Sequence, residues 1–211
     1  MTSETPSVEV TASDALERTL TVLRSGGIVV APTETAYGIL ADATQSKAVE
    51  AVRAAKRRDP GVPFPVFLAD HTQLAEYAVP FERVRAIADA TLPGPLTLRV
   101  LAQPGLELAP NIVDEEGEIS IRISSHPFIR EVTREMGVPL IATSANRSGG
   151  TTTYALEDLQ PEVRADVDLL VDGGTLKKDR ISTVVRIAGE KDSDIELIRE
   201  GVVPLSVVMR A

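Results

Sequence analysis

The sequence contains no cysteine and no tryptophan, and it has only two histidines, His71 and His126. The lack of cysteine excludes disulfides, thiolate nucleophiles, iron–sulfur clusters and cysteine-ligated zinc. A pair of histidines also disfavours a histidine-based metal site. The chemistry of this chain is therefore expected to use hydroxyl groups, carboxylates, lysine, arginine and a hard cation that suits oxygen ligands.

Long hydrophobic runs are also missing. No run of apolar residues approaches the ~18 residues that a membrane-spanning helix needs. The first residues, MTSETPSVEVTASD, have neither the basic segment nor the apolar segment of a secretory signal. We therefore expect a cytoplasmic protein that does not enter the membrane.

Positive charge and aromatic side chains are scarce. The net charge is −9, and the chain has three tyrosines and four phenylalanines. Strong non-specific binding to nucleic acid usually needs a basic domain, and single-strand binding usually needs aromatic stacking platforms. Both are disfavoured here, although a local basic cleft stays open as an alternative.

The chain alternates between segments of helical and strand periodicity. Ile119, Ile121 and Ile123 alternate with polar residues as in a half-buried strand, while residues 127–136 have the spacing of an amphipathic helix. This alternation predicts a single α/β domain with a twisted, open, mixed sheet and flanking helices. We expect an N-terminal tail over residues 1–10, a domain over 11–205 and a C-terminal tail over 206–211.

The usual nucleotide-binding signatures are missing, but polar clusters follow several predicted strands. Neither a GxxxxGK[ST] phosphate loop nor a GxGxxG fingerprint occurs. Ligands in open α/β sheets bind at strand ends, so these clusters are candidates for one site. They comprise PTETAYG at 32–38, KRR at 56–58, the strand that carries Arg122, SANRSGG at 144–150 and DGG at 172–174 followed by Ser182 and Thr183.

Each cluster also has a structural explanation when it is taken alone. The threonines at 33 and 35 suit a capped turn, with Tyr37 in the core. Cations at the end of a helix complement its dipole. Arg122 on an alternating strand is as compatible with a solvated face as with a site. The loop ATSANRSGG carries more hydroxyl, amide and cationic groups than a connection requires, and it favours an anion-binding role.

Taken together and in this order, the clusters resemble motifs of the YrdC/Sua5 family. GGIVVAPTETAYGI is similar to the family's GGxxxxPT[DE]TxYG[IL], and Lys56 and Arg58 match its KxR. The similarity runs from about residue 16 to residue 201. It also includes these motifs, in chain order: LPGPLTL, ISIRIS, SANRSG, DGGTLKKDRISTVV and IREG.

The resemblance implies a threonylcarbamoyl-AMP synthase with the YrdC/RibB-like fold and a concave, positively charged face. The implied substrates are ATP with Mg²⁺, L-threonine and bicarbonate or CO2, and the product would serve tRNA N6-threonylcarbamoyladenosine synthesis by a downstream transfer machinery. The residues implied to bind ATP are Lys56, Arg58, Ser144, Asn146, Thr152 and Arg199. Those implied to bind threonine are Thr35, Arg122, Ala142 and Ser182, with Arg122 pairing the carboxylate.

Within that set, catalysis is expected to depend on four residues, and no protein side chain is expected to ligate a metal ion directly. The four are Lys56, Arg58, Ser144 and Asn146. Charge that builds on phosphoryl oxygens is stabilised by lysine, arginine and Mg²⁺ more than by a general base.

Three positions depart from the family pattern and leave alternatives open. Val62 stands where many members carry Lys or Asn near ATP, Ser124 replaces the proline of RVP, and Glu118 would be unfavourable beside phosphates. One alternative is a YciO-like paralogue or an RNA-binding module, with RNA on the concave face, that makes little adenylate. Another is a carbamoyl-transfer enzyme, which the lack of zinc-finger cysteines disfavours.

Overall fold

The computed structural model describes residues 5–178 and 180–211. Its helices are α1 Ala15–Arg24, α2 Ser46–Lys56, α3 His71–Tyr77, α4 Glu82–Thr91, α5 Pro127–Met136, α6 Pro161–Ala165 and α7 Leu205–Val208, with short 3₁₀ turns at Leu156–Asp158 and Asp192–Asp194. Its first strands are β1 Ser7–Glu9, β2 Val29–Pro32, β3 Tyr37–Leu40, β4 Val66–Phe67, β5 Leu96–Leu101 and β6 Glu118–Arg122. The later strands are β7 Leu140–Ile141, β8 Thr143–Ser144, β9 Leu169–Asp172, β10 Thr183–Ile187 and β11 Ile195–Arg199.

The strands form two hydrogen-bonded sheets with mixed directions. The first has five strands in the order β1-β9-β2-β3-β8, and the second has six in the order β11-β10-β5-β6-β4-β7. Parallel and antiparallel neighbours occur in both. The expected α/β class with mixed strand directions is confirmed, and the strands divide between two sheets where the sequence indicated one.

The two sheets meet along the segment from residue 139 to residue 144. β7 pairs with β4 in the six-stranded sheet, and β8 pairs with β3 in the five-stranded sheet. Backbone bonds from Ala43 to Pro139 and from Ile141 to Ala41 join the end of β3 to β7. Ala142 is the one residue between β7 and β8, so it lies at the crossing between the sheets.

Both faces of the five-stranded sheet are covered by apolar side chains. Val30 and Ile39 belong to the larger core cluster with residues of α2, α4 and the six-stranded sheet. Val29 and Leu40, which point to the opposite face, pack with residues of α1 and α5. Strands with two buried faces are expected to be almost wholly apolar, as the sequences of β2 and β3 are.

Local sequence explains where the helices begin and end. Pro127 occupies the first turn of α5, where its missing N–H costs nothing, and Gly137 ends the helix with φ +68°. Asp70 caps α3 by accepting a hydrogen bond from the Gln73 backbone N–H. α2 ends at Arg57, which adopts φ +47° and turns the chain sharply after Lys56.

Both expected tails are wrong in part. Ser7–Glu9 form β1, which pairs in parallel with residues 170–172, and Val8 is buried. At the other end, α7 covers residues 205–208 and Val208 is fully buried in the larger core. Elements of three and four residues are too short to carry a periodic signal, which explains the error. Residues 1–4 lie outside the described residues.

No helix within residues 5–178 and 180–211 has both the length and the apolar character needed to cross a bilayer.

Candidate active site

A cavity of about 300 Å³ lies between the two sheets. Residues of the β2–β3 loop, of β5, β6, β8 and β10, and of the segment after residue 180 contribute to its lining. The lining residues are Thr33, Thr35, Ala36, Tyr37, Gly38, Arg58, Pro65, Phe67, Thr97, Ser120, Arg122, Ala142, Thr143, Ser144, Thr152, Arg180, Ile181, Ser182, Val184 and Arg199. Its volume is at the lower end of the range usual for small-molecule sites.

The cavity brings together eight of the ten residues that the sequence singled out. Those in the lining are Thr35, Arg58, Arg122, Ala142, Ser144, Thr152, Ser182 and Arg199. The other two, Lys56 and Asn146, are 2% and 6% exposed and lie against the backbone of the loop that follows β8. They are adjacent to the lining residue Ser144 but are not part of the lining.

The Lys56 side chain is hydrogen-bonded to the backbone of this loop. Its Nζ donates to the carbonyl oxygens of Ser144 and Asn146, each at 2.5 Å, and its own carbonyl accepts from the backbone N–H of Ser148 at 2.9 Å. Burial, with a smaller contribution from repulsion by Arg58, lowers the pKa of Lys56 to about 7. The side chain therefore acts on the cavity through the position of Ser144.

Arg58 has different partners from Lys56, and Arg57, with φ +47°, turns the chain between them. Its guanidinium donates to the carbonyl oxygens of Val62 at 3.3 Å and Pro63 at 2.7 Å. It also lies 4.9 Å from the centre of the Phe64 ring. Planar contacts of this kind orient an arginine without neutralising its charge.

Arg53 contacts the same ring and the same loop. Its guanidinium is 4.9 Å from the Phe64 ring centre, and its Nη1 donates to the carbonyls of Asp59 and Val62. Burial and the charge of Arg53 lower the pKa of Arg58, against an opposing effect of Asp59. Among the described residues, no carboxylate lies within 4 Å of the charged nitrogens of Lys56 or Arg58. We call Lys56, Arg58 and Ser144 the Arg58 group.

The PTETAYG loop serves both structure and cavity. Thr33 caps the turn, because its Oγ1 accepts from the backbone N–H groups of Thr35 and Ala36 and donates to the carbonyl of Ala36. Tyr37 is fully buried; its hydroxyl accepts from the Gly173 N–H and donates to the Gly174 carbonyl. Burial raises the pKa of Tyr37 to about 12, so the phenol stays protonated. Thr35 Oγ1 remains in the lining beside Arg122.

Arg122 ends β6 and forms an ion pair with Glu34. Its Nη2 is 2.8 Å from Glu34 Oε1 and 3.1 Å from Thr35 Oγ1, and its guanidinium lies 5.5 Å from the centre of the Phe67 ring. The second carboxylate oxygen of Glu34 accepts a 2.5 Å hydrogen bond from Ser124. Burial raises the pKa of Glu34, but Arg122 and the Ser124 hydroxyl outweigh it and hold that pKa below its usual value. Glu34, Arg122 and Ser124 form the Arg122 group.

Arg199, at the end of β11, is hydrogen-bonded next to the cavity to Ser182, which immediately precedes β10. Its Nε and Nη2 donate to the Ser182 carbonyl at 3.0 and 2.9 Å, and Nη2 also donates to Ser182 Oγ at 2.7 Å. Burial, together with repulsion by Arg122, lowers the pKa of Arg199. A residue expected on the ATP side and one expected in the threonine pocket are therefore in direct contact.

Glu118 and Val62, which depart from the family pattern, both lie outside the cavity lining. Glu118 is 2% exposed, pairs with Arg99 and Arg186, each at 2.7 Å, and is not part of the cavity lining. It begins β6 while Arg122 ends it, and four residues of strand span about 13 Å. At position 62 the side chain is 40% exposed, and the carbonyl holds both Arg53 and Arg58.

Several residues at the site were not predicted from the sequence. Glu34 pairs with Arg122 and is itself bonded to Ser124, Arg53 shares the Val62 carbonyl with Arg58, and Phe67 packs against Arg122. A local signal exists only for Arg53, which lies on α2 three residues before Lys56. Phe67 is opposite Arg122 because β4 pairs with β6, and that pairing is not visible in the sequence. In residues 5–178 and 180–211, no group of three or more His, Asp or Glu side chains could hold a metal ion.

Comparison with known proteins identifies the family. The Sua5/YciO/YrdC family profile, described as telomere recombination, matches residues 21–201. A putative threonylcarbamoyl-AMP synthase of Methanocaldococcus jannaschii is 38% identical over 186 residues, which are 88% of this chain and 85% of that protein. The threonylcarbamoyl-AMP synthase of Stenotrophomonas maltophilia is 34% identical over 164 residues, 76% of this chain and 87% of that protein.

Solved structures agree. P. abyssi Sua5 in complex with L-threonine has a TM-score of 0.86 at 25% identity, covering 97% of this chain and 59% of its own. The H234A/Y235A variant of P. abyssi Sua5 has a TM-score of 0.88, also at 25% identity, and covers 98% of this chain and 63% of its own. This chain thus spans about three fifths of the length of those Sua5 chains. E. coli YciO shares the fold, with a TM-score of 0.82 at 20% identity over 96% of this chain and 97% of its own. The profile match over most of the chain, with relatives of more than 30% identity, places this chain in the Sua5/YciO/YrdC family.

Proposed function

We propose that this chain is an L-threonylcarbamoyladenylate synthase. It would form threonylcarbamoyl-AMP and pyrophosphate from ATP, L-threonine and bicarbonate or CO2. The proposal depends on one observation: Arg58 and Ser144 line the same cavity as Thr35, Arg122 and Ser182. The names of the M. jannaschii and S. maltophilia relatives, and the L-threonine bound to P. abyssi Sua5, support it.

The reaction requires two bonds to form in sequence. The ammonium group of threonine first loses a proton to solvent, and the amine nitrogen then bonds to the carbon of CO2 and loses a second proton, which gives a carbamate. Where bicarbonate supplies the carbon, it loses water to form CO2. A carbamate oxygen then bonds to the α-phosphorus of ATP while the bond to the bridging oxygen breaks and pyrophosphate leaves. Free carbamates are short-lived, so holding one beside ATP could supply roughly 7–11 kcal/mol of positional advantage.

The Arg58 group is suited to the phosphates. Arg58 presents a guanidinium whose described partners are neutral carbonyls and an aromatic ring, so its charge is available to a polyanion. Ser144 offers a hydroxyl at a position fixed by Lys56. Together with Arg199, these residues would stabilise the charge that develops on the phosphoryl oxygens.

The Arg122 group is suited to the amino acid. Arg122 can accept the carboxylate of threonine, while Thr35, Ala142 and Ser182 surround it in the lining. Because Glu34 already balances the charge of Arg122, the pocket fits a zwitterion of zero net charge better than a polyanion.

Mg²⁺ would enter as part of the Mg·ATP substrate. The side-chain donors next to the loop after β8 are the Ser144 hydroxyl and the Asn146 amide oxygen. Asn146 Oδ1 is buried and has no partner among the described residues. Oxygen donors of this type fit a hydrated Mg²⁺, which keeps several of its waters when it binds to phosphates. The ion would supply charge neutralisation on the triphosphate.

The product also suggests what consumes it. Threonylcarbamoyl-AMP is a mixed anhydride, so the next enzyme must transfer its acyl group to a nucleophile and release AMP. We propose that the acceptor is the N6 amine of a tRNA adenosine, which makes this chain the first step of N6-threonylcarbamoyladenosine synthesis.

Pyrophosphate release with omitted substrates tests the proposal. We expect release when Mg·ATP, L-threonine and bicarbonate are all present, and background release when any one is omitted. Pyrophosphate release that does not require threonine would instead indicate a carbamoyl-transfer enzyme. No release with all three would favour a YciO-like protein, whose fold this chain shares.

A further inference from the structure

Ser124 forms an unusual link behind the cavity. It is 1% exposed, its Oγ donates to Glu34 Oε2 at 2.5 Å, and the same Oγ accepts from the backbone N–H of His126 at 3.1 Å. The direction of the hydroxyl is therefore fixed, and its O–H bond points to the Glu34 carboxylate.

We infer that Ser124 determines how tightly the pocket binds the amino-acid substrate, because it limits Glu34 to one oxygen on Arg122. This inference rests on the proposed function, since it assigns Arg122 to the carboxylate of threonine. Ser124 is a positioning residue, because it acts through Glu34 and then through Arg122.

The argument starts from the geometry of the guanidinium. Both hydrogen bonds that Arg122 makes to described side chains leave from Nη2, one to Glu34 Oε1 and one to Thr35 Oγ1. Arg122 Nε is buried and has no partner among the described residues. Both N–H groups of Nη2 are thus occupied, and the N–H groups of Nη1, which bond to no described residue, are left for a second carboxylate in the cavity that Arg122 lines.

Glu34 would compete for those donors if it could. A carboxylate with two uncommitted oxygens binds arginine through two parallel hydrogen bonds, and Glu34 in that mode would occupy the Nη1 donor that a substrate carboxylate needs. Glu34 is ionised at neutral pH, because Arg122 and Ser124 hold its pKa below the usual value despite burial. Its Oε2 is kept from Arg122 by the bond to Ser124.

Loss of the Ser124 hydroxyl leaves Oε2 of Glu34 without a donor in a site that is mostly shielded from water. Side-chain exposure is 12% for Glu34 and 10% for Arg122. A buried acceptor without a partner is costly, so Glu34 is expected to turn its second oxygen towards Arg122. The guanidinium would then be chelated by the protein's own carboxylate, and threonine would have to displace it.

Four proteins test this: Ser124→Ala, Ser124→Thr, Glu34→Gln and the double variant Ser124→Ala/Glu34→Gln. Initial rates of pyrophosphate release give the KM for threonine and for ATP in each, and thermal unfolding shows that each is folded. We expect Ser124→Ala to raise the threonine KM about tenfold and to leave the ATP KM unchanged. Ser124→Thr, which keeps the hydroxyl, should retain a low threonine KM.

The double variant is decisive. A glutamine cannot chelate arginine as a carboxylate does, so Glu34→Gln should remove the competition that Ser124→Ala creates. We expect the threonine KM of the double variant to return to within about threefold of Glu34→Gln alone. A threonine KM that does not change in Ser124→Ala, or that stays high in the double variant, would overturn the inference.

Calorimetric titration of threonine into the same proteins separates this inference from the proposed function. If the wild-type protein binds threonine but releases no pyrophosphate, the proposed function fails, and the four dissociation constants should still show the loss and the rescue. If the wild-type protein does not bind threonine at all, both fail.

Discussion

The Arg58 group and the Arg122 group hold their cations in opposite ways. Lys56 and Arg58 are bonded to backbone carbonyls, and Arg58 also lies against Phe64, so their described contacts leave the positive charge unbalanced. Arg122 is paired with Glu34, which is itself fixed by Ser124. One cavity therefore contains Arg58 and Arg199, which have no carboxylate partner among the described residues, and Arg122, whose charge is balanced by Glu34.

This difference matches the charges of the two proposed substrates. Mg·ATP is anionic and gains from cations that have no internal counter-ion, whereas threonine enters as a zwitterion and needs one oriented carboxylate partner. Burial is the main cause of the lowered pKa of Lys56 and of Arg58, and the smaller contribution from repulsion by neighbouring arginines would be relieved when phosphate binds. The comparison predicts that the two regions can be disabled separately.

The largest effect is expected from Arg58→Ala. Removing this guanidinium should lower kcat/KM for ATP by roughly 10²- to 10³-fold, because it contacts charge that grows in the transition state. The threonine KM should change little. Steady-state kinetics in which each substrate is varied in turn measure both values.

Arg57→Ala is the matched control for Arg58→Ala, since Arg57 is the neighbouring arginine and its side chain is exposed. Equal losses in the two variants would mean that overall positive charge matters and that the position of Arg58 does not.

A smaller effect, on the use of threonine and not of ATP, is expected from Arg122→Ala. The threonine KM should rise about 10- to 100-fold with the loss of a charge-assisted contact, while the ATP KM stays near the wild-type value. The variant also leaves Glu34 unpaired, so its melting temperature must be measured beside its kinetics.

The control for Arg122→Ala is Arg99→Ala, which removes another strand arginine that pairs with carboxylates, Asp114 and Glu118. It should lower stability without a selective change in the threonine KM. A selective rise in the ATP KM of Arg122→Ala would show that the regions are assigned the wrong way round.

The smallest effect concerns the pH dependence of stability at Lys56. Its pKa is about 7 in the folded protein and near the ordinary value of 10.5 in the unfolded chain. Between these values the unfolded chain binds more protons, so the contribution of Lys56 to stability should rise as the pH rises from 7 to 10.5 and be lowest below 7. The difference in melting temperature between the wild-type protein and Lys56→Met should therefore shift in favour of the wild type from pH 7 to pH 9.

Lys47→Met, at the exposed start of α2, is the control for this measurement. A difference for Lys56→Met that stays flat, or that falls with rising pH, would show that Lys56 keeps its proton in the folded protein.

The sequence predicted much of the fold because its signals there are local. α5 covers residues 127–136 as expected, and Ile119 and Ile121 lie in the strand β6. β1 was missed because three residues carry no period, and because its partner lies at residues 170–172. The family resemblance and the α/β class are confirmed by the comparisons.

The site was predicted as a set of residues but not as an arrangement. Lys56 and Arg58 are two residues apart, yet the left-handed turn at Arg57 directs one under the loop after β8 and the other into the cavity lining. Ser124 and Glu34 are 90 residues apart, so no local pattern reveals their hydrogen bond. Which charged groups pair with one another depends on tertiary contacts, and these contacts distinguish the Arg58 group from the Arg122 group.

A crystal structure with threonine, Mg²⁺ and a non-hydrolysable ATP analogue bound together tests the central claim most directly. The account predicts both ligands in the one cavity, with the threonine carboxylate on Arg122 and a phosphate group on Arg58. A threonine carboxylate bound to Arg58, or two ligands that exclude each other from the cavity, would contradict it.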